Sequence, residues 1–119
     1  MDTSVCIIST KSPYRGQLAK EAVDATFVSA SYGLTTDLLL MGDGIYQLLD
    51  QQHPENLPRK SLLSMLKSLP IYGIESVYVD EDSLKARHIC AEELALPVKL
   101  LTAKQLPSFI NQHNKTLTF

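Results

Sequence analysis

The chain has 119 residues, enough for one domain with its own core, and its 45% hydrophobic and 20% charged residues are ordinary for a globular protein. A formal net charge of −2 argues against direct nucleic-acid binding, because phosphate neutralisation needs clustered basic residues and the densest run here is Arg59-Lys60. The first residues lack the features of a signal peptide, and no apolar run approaches the roughly 20 residues that span a bilayer. We therefore expect one domain over residues 1–119, without membrane contact.

The first half of the chain alternates predicted strands and helices. An apolar, β-branched run at 5–8 predicts a buried strand that ends near Thr10. The Ala-rich segment 17–31 has helical spacing with small residues, which suits close packing on a sheet. The apolar segment 37–41 predicts a second buried strand, and 45–49 predicts a short helix.

The second half continues the alternation. Pro58 and Pro70 bracket a helix with apolar residues at 62, 65, 66 and 69, and Thr102 to Gln105 matches a capping box just before a helix that starts near Leu106. The remaining predicted elements are a strand at 74–79, a short helix at 81–87, a strand at 97–101 and a short strand at 117–119. This order predicts a flavodoxin-like three-layer α/β/α fold with a mostly parallel sheet of about five strands.

The turn Gly42-Asp43-Gly44 directly follows the second predicted strand. Ligands of open α/β sheets sit beyond the carboxyl ends of strands, and glycine lets the backbone approach a ligand closely. The turn is therefore a candidate binding site. The alternative is a tight structural turn in which Asp43 caps the following helix.

The loop 12–16 also follows a strand, so Arg15 and Gly16 are candidates for holding an anion at the start of the next helix. No G-x-G-x-x-G or Walker pattern accompanies them, which favours an ordinary surface loop.

Metal and thiol chemistry have weak support in the sequence. The histidines His53, His88 and His113 are far apart and predict no zinc site, and the acidic run 80–82 is best interpreted as a solvated helix start. Cys6 lies in an apolar run and is expected to be a buried free thiol. Cys90 has cationic neighbours before it and glutamates after it, so we expect an unreactive or merely exposed thiol. No cofactor is expected.

Several ordered segments together resemble one known family. These are the opening strand and loop from Ile7 to Gly16, the helix segment EAVDA at 21–25, the run LLLMGDGIYQLL at 38–49, the segment LPIYGIESVYV at 69–79, and SLKAR at 83–87. The run at 38–49 is similar to a D-G-[VI]-[FY]-Q-L-L signature and is the most specific. Read as a set, they resemble the TusC/DsrF branch of the DsrE/DsrF-like sulfur-relay proteins over nearly the whole chain.

The resemblance implies a cytoplasmic, non-catalytic subunit in a heterohexamer, a dimer of trimers, with TusB-like and TusD-like chains. It implies that the complex takes persulfide sulfur from a TusA-like donor and passes it to a TusE-like acceptor, toward 2-thiolation of the wobble uridine in tRNA. In the family the TusD-type subunit carries the active cysteine near the end of the third strand. The corresponding stretch here, 77–82, has no cysteine. A DsrF-like role in sulfur oxidation, a stand-alone anion-binding domain and a thiol enzyme using Cys90 are the alternatives.

A non-catalytic subunit needs an interface, and the candidate is the apolar set after the glycine turn: Ile45, Tyr46, Leu48 and Leu49. Aromatic and aliphatic anchors dominate interface energetics. The alternative is that these residues only fill the core, and periodicity cannot separate the two.

Overall fold

A parallel five-stranded sheet forms the centre of the molecule. The computed structural model describes residues 3–13, 16–49 and 57–119, with the backbone alone for 57–61. The strands are β1 (Ser4–Ser9), β2 (Thr35–Leu40), β3 (Val77–Asp80), β4 (Val98–Leu101) and β5 (Lys115–Thr118). They lie in the order β4-β3-β2-β1-β5, and every neighbouring pair is parallel. The predicted α/β class and the strand number are confirmed.

Helices cover both faces of the sheet, as predicted. Among the described residues the α-helices are α1 (Leu18–Ser31), α2 (Leu57–Lys67), α3 (Glu81–Ala86) and α4 (Leu106–Asn111), and 3-10 helices span Gly42–Leu48, Leu69–Tyr72 and Ala91–Glu93. On the first face, α1 buries small residues such as Ala22 against apolar side chains of the strands, and the 3-10 helix after β2 joins the same core. The second face carries a smaller core under Phe109 of α4.

Several predicted element bounds were wrong. The second strand begins at Thr35 rather than at Asp37, and the last strand spans Lys115–Thr118 rather than 117–119. The third strand does not begin at Ile74: Gly73 adopts φ +88° and ends the 3-10 helix, so Ile74 packs into the core before the strand starts at Val77. The predicted helix ending at Leu69 is two elements, because the chain leaves α2 after Lys67 and Pro70 sits inside a separate 3-10 helix. The segment after β2 is a 3-10 helix that begins at Gly42 rather than at Ile45.

The start of α4 confirms two predictions from the sequence: the capping box of Thr102 to Gln105 and a helix that starts near Leu106. The N–H of Thr102 donates to Oε1 of Gln105 at 2.9 Å and the N–H of Gln105 donates to Oγ1 of Thr102 at 3.3 Å, which are the two bonds of a capping box. The helix itself begins at Leu106, with Pro107 in its first turn where no N–H is required.

A buried histidine fastens the segment after α4 to the sheet. The His113 side chain is 2% exposed, with Nε2 2.7 Å from Oδ2 of Asp37 in β2 and Nδ1 2.8 Å from the carbonyl oxygen of Phe109. Its ring also meets the Phe109 ring edge-on at 4.9 Å. His113 was expected only to mark a helix end; its side chain connects α4 to β2.

Candidate functional site

The predicted glycine turn lies at the carboxyl edge of the sheet, where it packs against the end of β1. Gly42 adopts φ +54°, a conformation that favours glycine. A Cβ on Gly44 would lie 2.1 Å from the carbonyl oxygen of Ser9. The close approach of backbone that the glycines permit is therefore to the chain's own β1, which favours the structural interpretation of the turn.

Gln47 fastens this turn to the loop after β1. It is 1% exposed, and its Nε2 donates to Oγ of Ser9 at 2.8 Å and to the carbonyl oxygen of Lys11 at 3.0 Å. Its Oε1 is buried and has no hydrogen-bond partner among the residues that the structure describes. Sequence reasoning missed this residue as a site residue, although a buried polar position inside the most specific motif was the available signal.

The end of β3 is tied to the same turn through a short chain of hydrogen bonds. The N–H of Gly42 donates to Oγ of Ser83 at 2.9 Å, and the Ser83 hydroxyl donates to Oδ2 of Asp80 at 2.6 Å. Asp80 is 7% exposed, and its Oδ1 is buried with no hydrogen-bond partner in the described part of the chain. The prediction of a solvated helix start was therefore wrong for Asp80, because this last residue of β3 is buried and accepts a hydrogen bond from Ser83.

Asp43 does not cap a helix, contrary to the structural alternative for the turn. The residue before the 3-10 helix is Met41, and Oδ1 of Asp43 accepts hydrogen bonds from Nε and Nη2 of Arg87 at 3.2 and 2.9 Å. Nη1 of Arg87 donates to the Ser83 carbonyl oxygen at 3.1 Å, and its guanidinium carbon lies 6.0 Å from the centre of the Tyr46 ring. The Arg87 guanidinium beside the turn is thus already bonded within the chain.

The four apolar interface candidates divide into two groups. Ile45 and Leu48 are fully buried in the core of the first face, so they fill the fold rather than a surface. Tyr46 and Leu49 are half-buried, and Leu49 forms an isolated antiparallel bridge with Leu94. Only Tyr46 and Leu49 of this set are available to a partner.

The anion-site candidates after β1 are not brought together with the glycine turn by any described contact. Arg15 lies outside the described residues. Gly16 is exposed at φ +67°, with no atom within 4 Å of the position that a Cβ would occupy.

The reversal of strand order lies between β1 and β5, and the chain itself closes the crevice there. The N–H and Oγ1 of Thr10 both donate to the carbonyl oxygen of Phe119, at 3.0 and 2.7 Å, and the N–H of Phe119 donates to the carbonyl oxygen of Ile8 at 2.8 Å. Small ligands of such sheets usually bind at this reversal point. Here its hydrogen-bonding groups are used internally.

The two thiols differ in environment. Cys6 is 0% exposed, and burial together with the nearby Asp37 carboxylate raises the pKa of its thiol from 9.0 to about 11. Cys90 is exposed, and its N–H donates to Oε1 of Glu93 at 2.9 Å. Within the described part of the chain, no group of three or more histidine, cysteine or acidic side chains is arranged to hold a metal ion.

Comparison with known proteins identifies the family. The family model described as the DsrE/DsrF-like family matches residues 3–119. The chain belongs to the DsrE/DsrF-like family. Among relatives, a Pseudomonas aeruginosa protein named Protein TusC homolog is 35% identical over 118 residues, covering 99% of both chains. A Vibrio parahaemolyticus protein with the same name is 32% identical over 108 residues, covering 91% of this chain and 92% of that relative.

A solved structure shares the fold of this chain. The crystal structure of the ychN protein from E. coli superposes with a TM-score of 0.77 at 20% identity and covers 100% of both chains. At this identity the likeness concerns the fold alone. Among the residues that the structure describes, no helix is long and apolar enough to cross a membrane.

Proposed function

We propose that the chain is a non-catalytic, TusC-like subunit of a TusBCD-type sulfur-relay complex. The proposal is supported by membership of the DsrE/DsrF-like family and by full-length similarity to proteins named TusC homologs. In this role it assembles with TusB-like and TusD-like chains in a cytoplasmic heterohexamer, a dimer of trimers. The complex accepts persulfide sulfur from a TusA-like donor and passes it to a TusE-like acceptor, toward 2-thiolation of the wobble uridine in tRNA.

The observation that carries the non-catalytic part is the side chain at the end of β3. The family resemblance places the active cysteine of TusD-type subunits near this position, and sulfur transfer through a persulfide requires a thiolate. This chain has Asp80 there, buried and accepting a hydrogen bond from Ser83. A carboxylate cannot form a persulfide. The Asp80 side chain therefore holds the neighbouring turn through Ser83 and does not carry sulfur.

Neither thiol offers a good substitute. The raised pKa of Cys6 and its complete burial keep it protonated and out of contact with a donor protein. Cys90 is exposed but is followed by Glu92 and Glu93, whose charges disfavour an incoming anionic persulfide. We therefore assign the chain a scaffolding role, with contacts to tRNA left to other proteins because its net charge is −2.

The experiment that tests assembly is co-expression with TusB-like and TusD-like chains, followed by size-exclusion chromatography and mass measurement. A stoichiometric hexamer that contains this chain supports the proposal. Elution of the chain alone as a stable monomer, in the presence of both partners, contradicts it.

A second experiment separates the scaffold from a thiol enzyme. Sulfur relay by the assembled complex is measured with Cys90→Ser, with the cysteine of the TusD-like chain replaced in a parallel sample. The proposal expects relay to survive the first change and to be lost with the second. Loss of relay with Cys90→Ser, in a complex of normal mass, would instead assign chemistry to this chain.

A further inference from the structure

The buried His113 side chain faces a hydrogen-bond acceptor at each of its two ring nitrogens. Nδ1 lies 2.8 Å from the carbonyl oxygen of Phe109, and Nε2 lies 2.7 Å from Oδ2 of Asp37. Because a carbonyl oxygen and a carboxylate oxygen can only accept, both contacts are hydrogen bonds only when both ring nitrogens carry a proton. A neutral imidazole has a single N–H and can make only one of the two bonds.

The geometry therefore holds one proton more than a neutral imidazole and an ionised carboxylate carry together. Because an imidazole binds a proton more tightly than a carboxylate does, this proton belongs to the ring. The His113 side chain is 2% exposed, whereas the Asp37 side chain is 28% exposed. A buried imidazolium is thus paired with a carboxylate that keeps contact with water, and each charge needs the other to offset the cost of its burial.

The other titratable groups packed around the pair come from the sheet, because α4 contains none. On β1, burial raises the pKa of the Cys6 thiol to about 11, so it stays protonated near neutral pH. Tyr78 of β3 lies on the same face, and the ammonium nitrogen of Lys99 is 5.8 Å from the centre of its ring. Lys115 of β5 and Glu75, beside the end of α1, lie on the first face. Among the described side chains, the carboxylate of the pair is the anion bonded to the imidazole.

The pair holds the segment that leads from α4 into β5. The next residue, Asn114, is bonded to the start of β1: the N–H of Ser4 donates to its Oδ1 at 2.8 Å, and its own N–H donates to Oγ of Ser4 at 3.1 Å. β5 begins directly afterwards, and all four of its residues are exposed. With so little burial of its own side chains, β5 depends on these anchors and on its backbone ladder with β1.

We propose that His113 and Asp37 form a proton-dependent clasp, which holds the segment between α4 and β5 on the sheet while the imidazole is charged and loosens it when the proton leaves. Whichever ring nitrogen then keeps its hydrogen, the lone pair of the other faces an acceptor oxygen, and the carboxylate loses its counter-charge. Because the clasp gives the folded chain a proton that the unfolded chain releases, its contribution to stability is present at acidic pH and is lost as pH rises. The clasp belongs to the chain itself and does not depend on assembly with partner subunits.

The first test is urea unfolding of the full chain from about pH 5.5 to about pH 8.5, the range in which histidine exchanges its proton. We expect the unfolding equilibrium constant to rise about tenfold or more across this range, because a hydrogen bond to a charged group is lost. In Asp37→Asn an amide N–H donates to Nε2 of the neutral imidazole, so both bonds survive without the extra proton and the rise should disappear. The matched control His88→Asn removes an exposed histidine at φ 55°, which asparagine tolerates, and should keep the rise.

The second test is NMR of the His113 ring nitrogens in the unaltered chain, which needs no substitution and decides the matter even where Asp37→Asn fails to fold. We expect a proton on both ring nitrogens at about pH 5.5 and on one of them at about pH 8.5. A ring that carries a single proton at both pH values overturns the proposal. An unfolding constant that changes equally with pH in the unaltered chain and in a folded Asp37→Asn overturns it as well.

Discussion

Gly44 shows how a single side chain would alter the carboxyl edge of the sheet. Its Cα lies so close to β1 that an added Cβ would fall 2.1 Å from an oxygen and 2.9 Å from the carbonyl carbon of Ser9, both backbone atoms. Backbone in the centre of a sheet cannot move away as a flexible side chain could. The turn and the strand must therefore separate if anything larger than glycine occupies this position.

We expect Gly44→Ala to lower the free energy of unfolding by about 3 kcal/mol, because overpacking of this kind forces backbone shifts. The matched control is Gly16→Ala, where no atom lies within 4 Å and only the positive φ opposes alanine, at a cost of about 1 kcal/mol. Urea unfolding of both variants measures the difference. Equal losses would mean that the contact with Ser9 is not the constraint.

Cys6 should behave as an inert thiol in the folded chain. Because its pKa is raised to about 11, we expect iodoacetamide at pH 8 to modify Cys90 alone, and to reach Cys6 only after urea is added. Mass spectrometry counts the adducts, and Cys90→Ser should leave the native protein unlabelled. Labelling of Cys6 in the native state would contradict the burial on which this prediction depends.

The same pKa shift gives a sign for the dependence of stability on pH. Between pH 9 and about 11 the unfolded chain loses the Cys6 proton while the folded chain keeps it, so the folded state binds more protons. The contribution of Cys6 to stability is therefore constant below pH 9 and falls as pH rises toward 11. Comparison of urea unfolding at pH 8 and pH 10 for the unaltered chain and Cys6→Ala isolates this loss, which the variant should lack.

The sequence could predict the surroundings of a residue only where its neighbours along the chain form them. The burial of Cys6 followed from its apolar neighbours and is confirmed. Gln47 and His113 bond to residues 38 and 76 positions away, so their partners could not be predicted from neighbouring residues. Asp80 bonds to Ser83, only three positions away, but that contact depends on the turn of the chain from β3 into α3. Periodicity shows neither the partner of a polar side chain nor whether an apolar one such as Ile45 faces the core or a surface.

At the scale of elements, the Asp80–Ser83–Gly42 connection holds three pieces together: the end of β3, the start of α3 and the turn after β2. Its central atom is Oγ of Ser83, which accepts from one element and donates to another. The element types were predicted well because alternating apolar runs and turn residues specify them locally. The bounds near Ile74 and Pro70 were not predicted, because a separate 3-10 helix that contains Pro70 and ends at Gly73 lies between α2 and β3.

We expect Ser83→Ala to cost about 2 kcal/mol, because it removes the donor to buried Asp80 and the acceptor of the Gly42 N–H. Arg87→Met should cost less than about 1 kcal/mol, since its partner Asp43 is 56% exposed and such pairs contribute little in water. Thermal unfolding of the two variants gives the order. A larger loss for Arg87→Met would make the exposed pair, rather than the buried hydroxyl, the principal connection.

At the scale of the whole molecule, β5 decides whether β1 lies inside the sheet or at its edge. Four residue pairs from Val5↔Lys115 to Ile8↔Thr118 join the two strands, and Phe119 extends the contact to Thr10. The parallel class and the alternation of faces were predictable from sequence. The strand order was not, because alternation specifies that strands are parallel without specifying which of them are neighbours.

Deletion of residues 115–119 should abolish the cooperative unfolding transition, because it exposes one side of a central strand whose side chains are buried on both faces. The matched control Leu117→Ala removes a half-exposed side chain but keeps the backbone ladder, and is expected to cost less than about 1 kcal/mol. Circular dichroism during urea titration distinguishes them. A cooperative transition in the shortened chain would show that β1 is stable as an edge strand.

The pairing of β1 with β5 also bears on how the chain is made. Ser4 bonds to Asn114 across a separation of 110 residues, so the first strand to leave the ribosome waits for the last one to complete its ladder. During that interval its apolar edge is open to strands of other nascent chains. Contacts of such high sequence separation also slow folding. Synthesis alongside its partner subunits would shorten the exposure, and overproduction of this chain by itself should favour inclusion bodies.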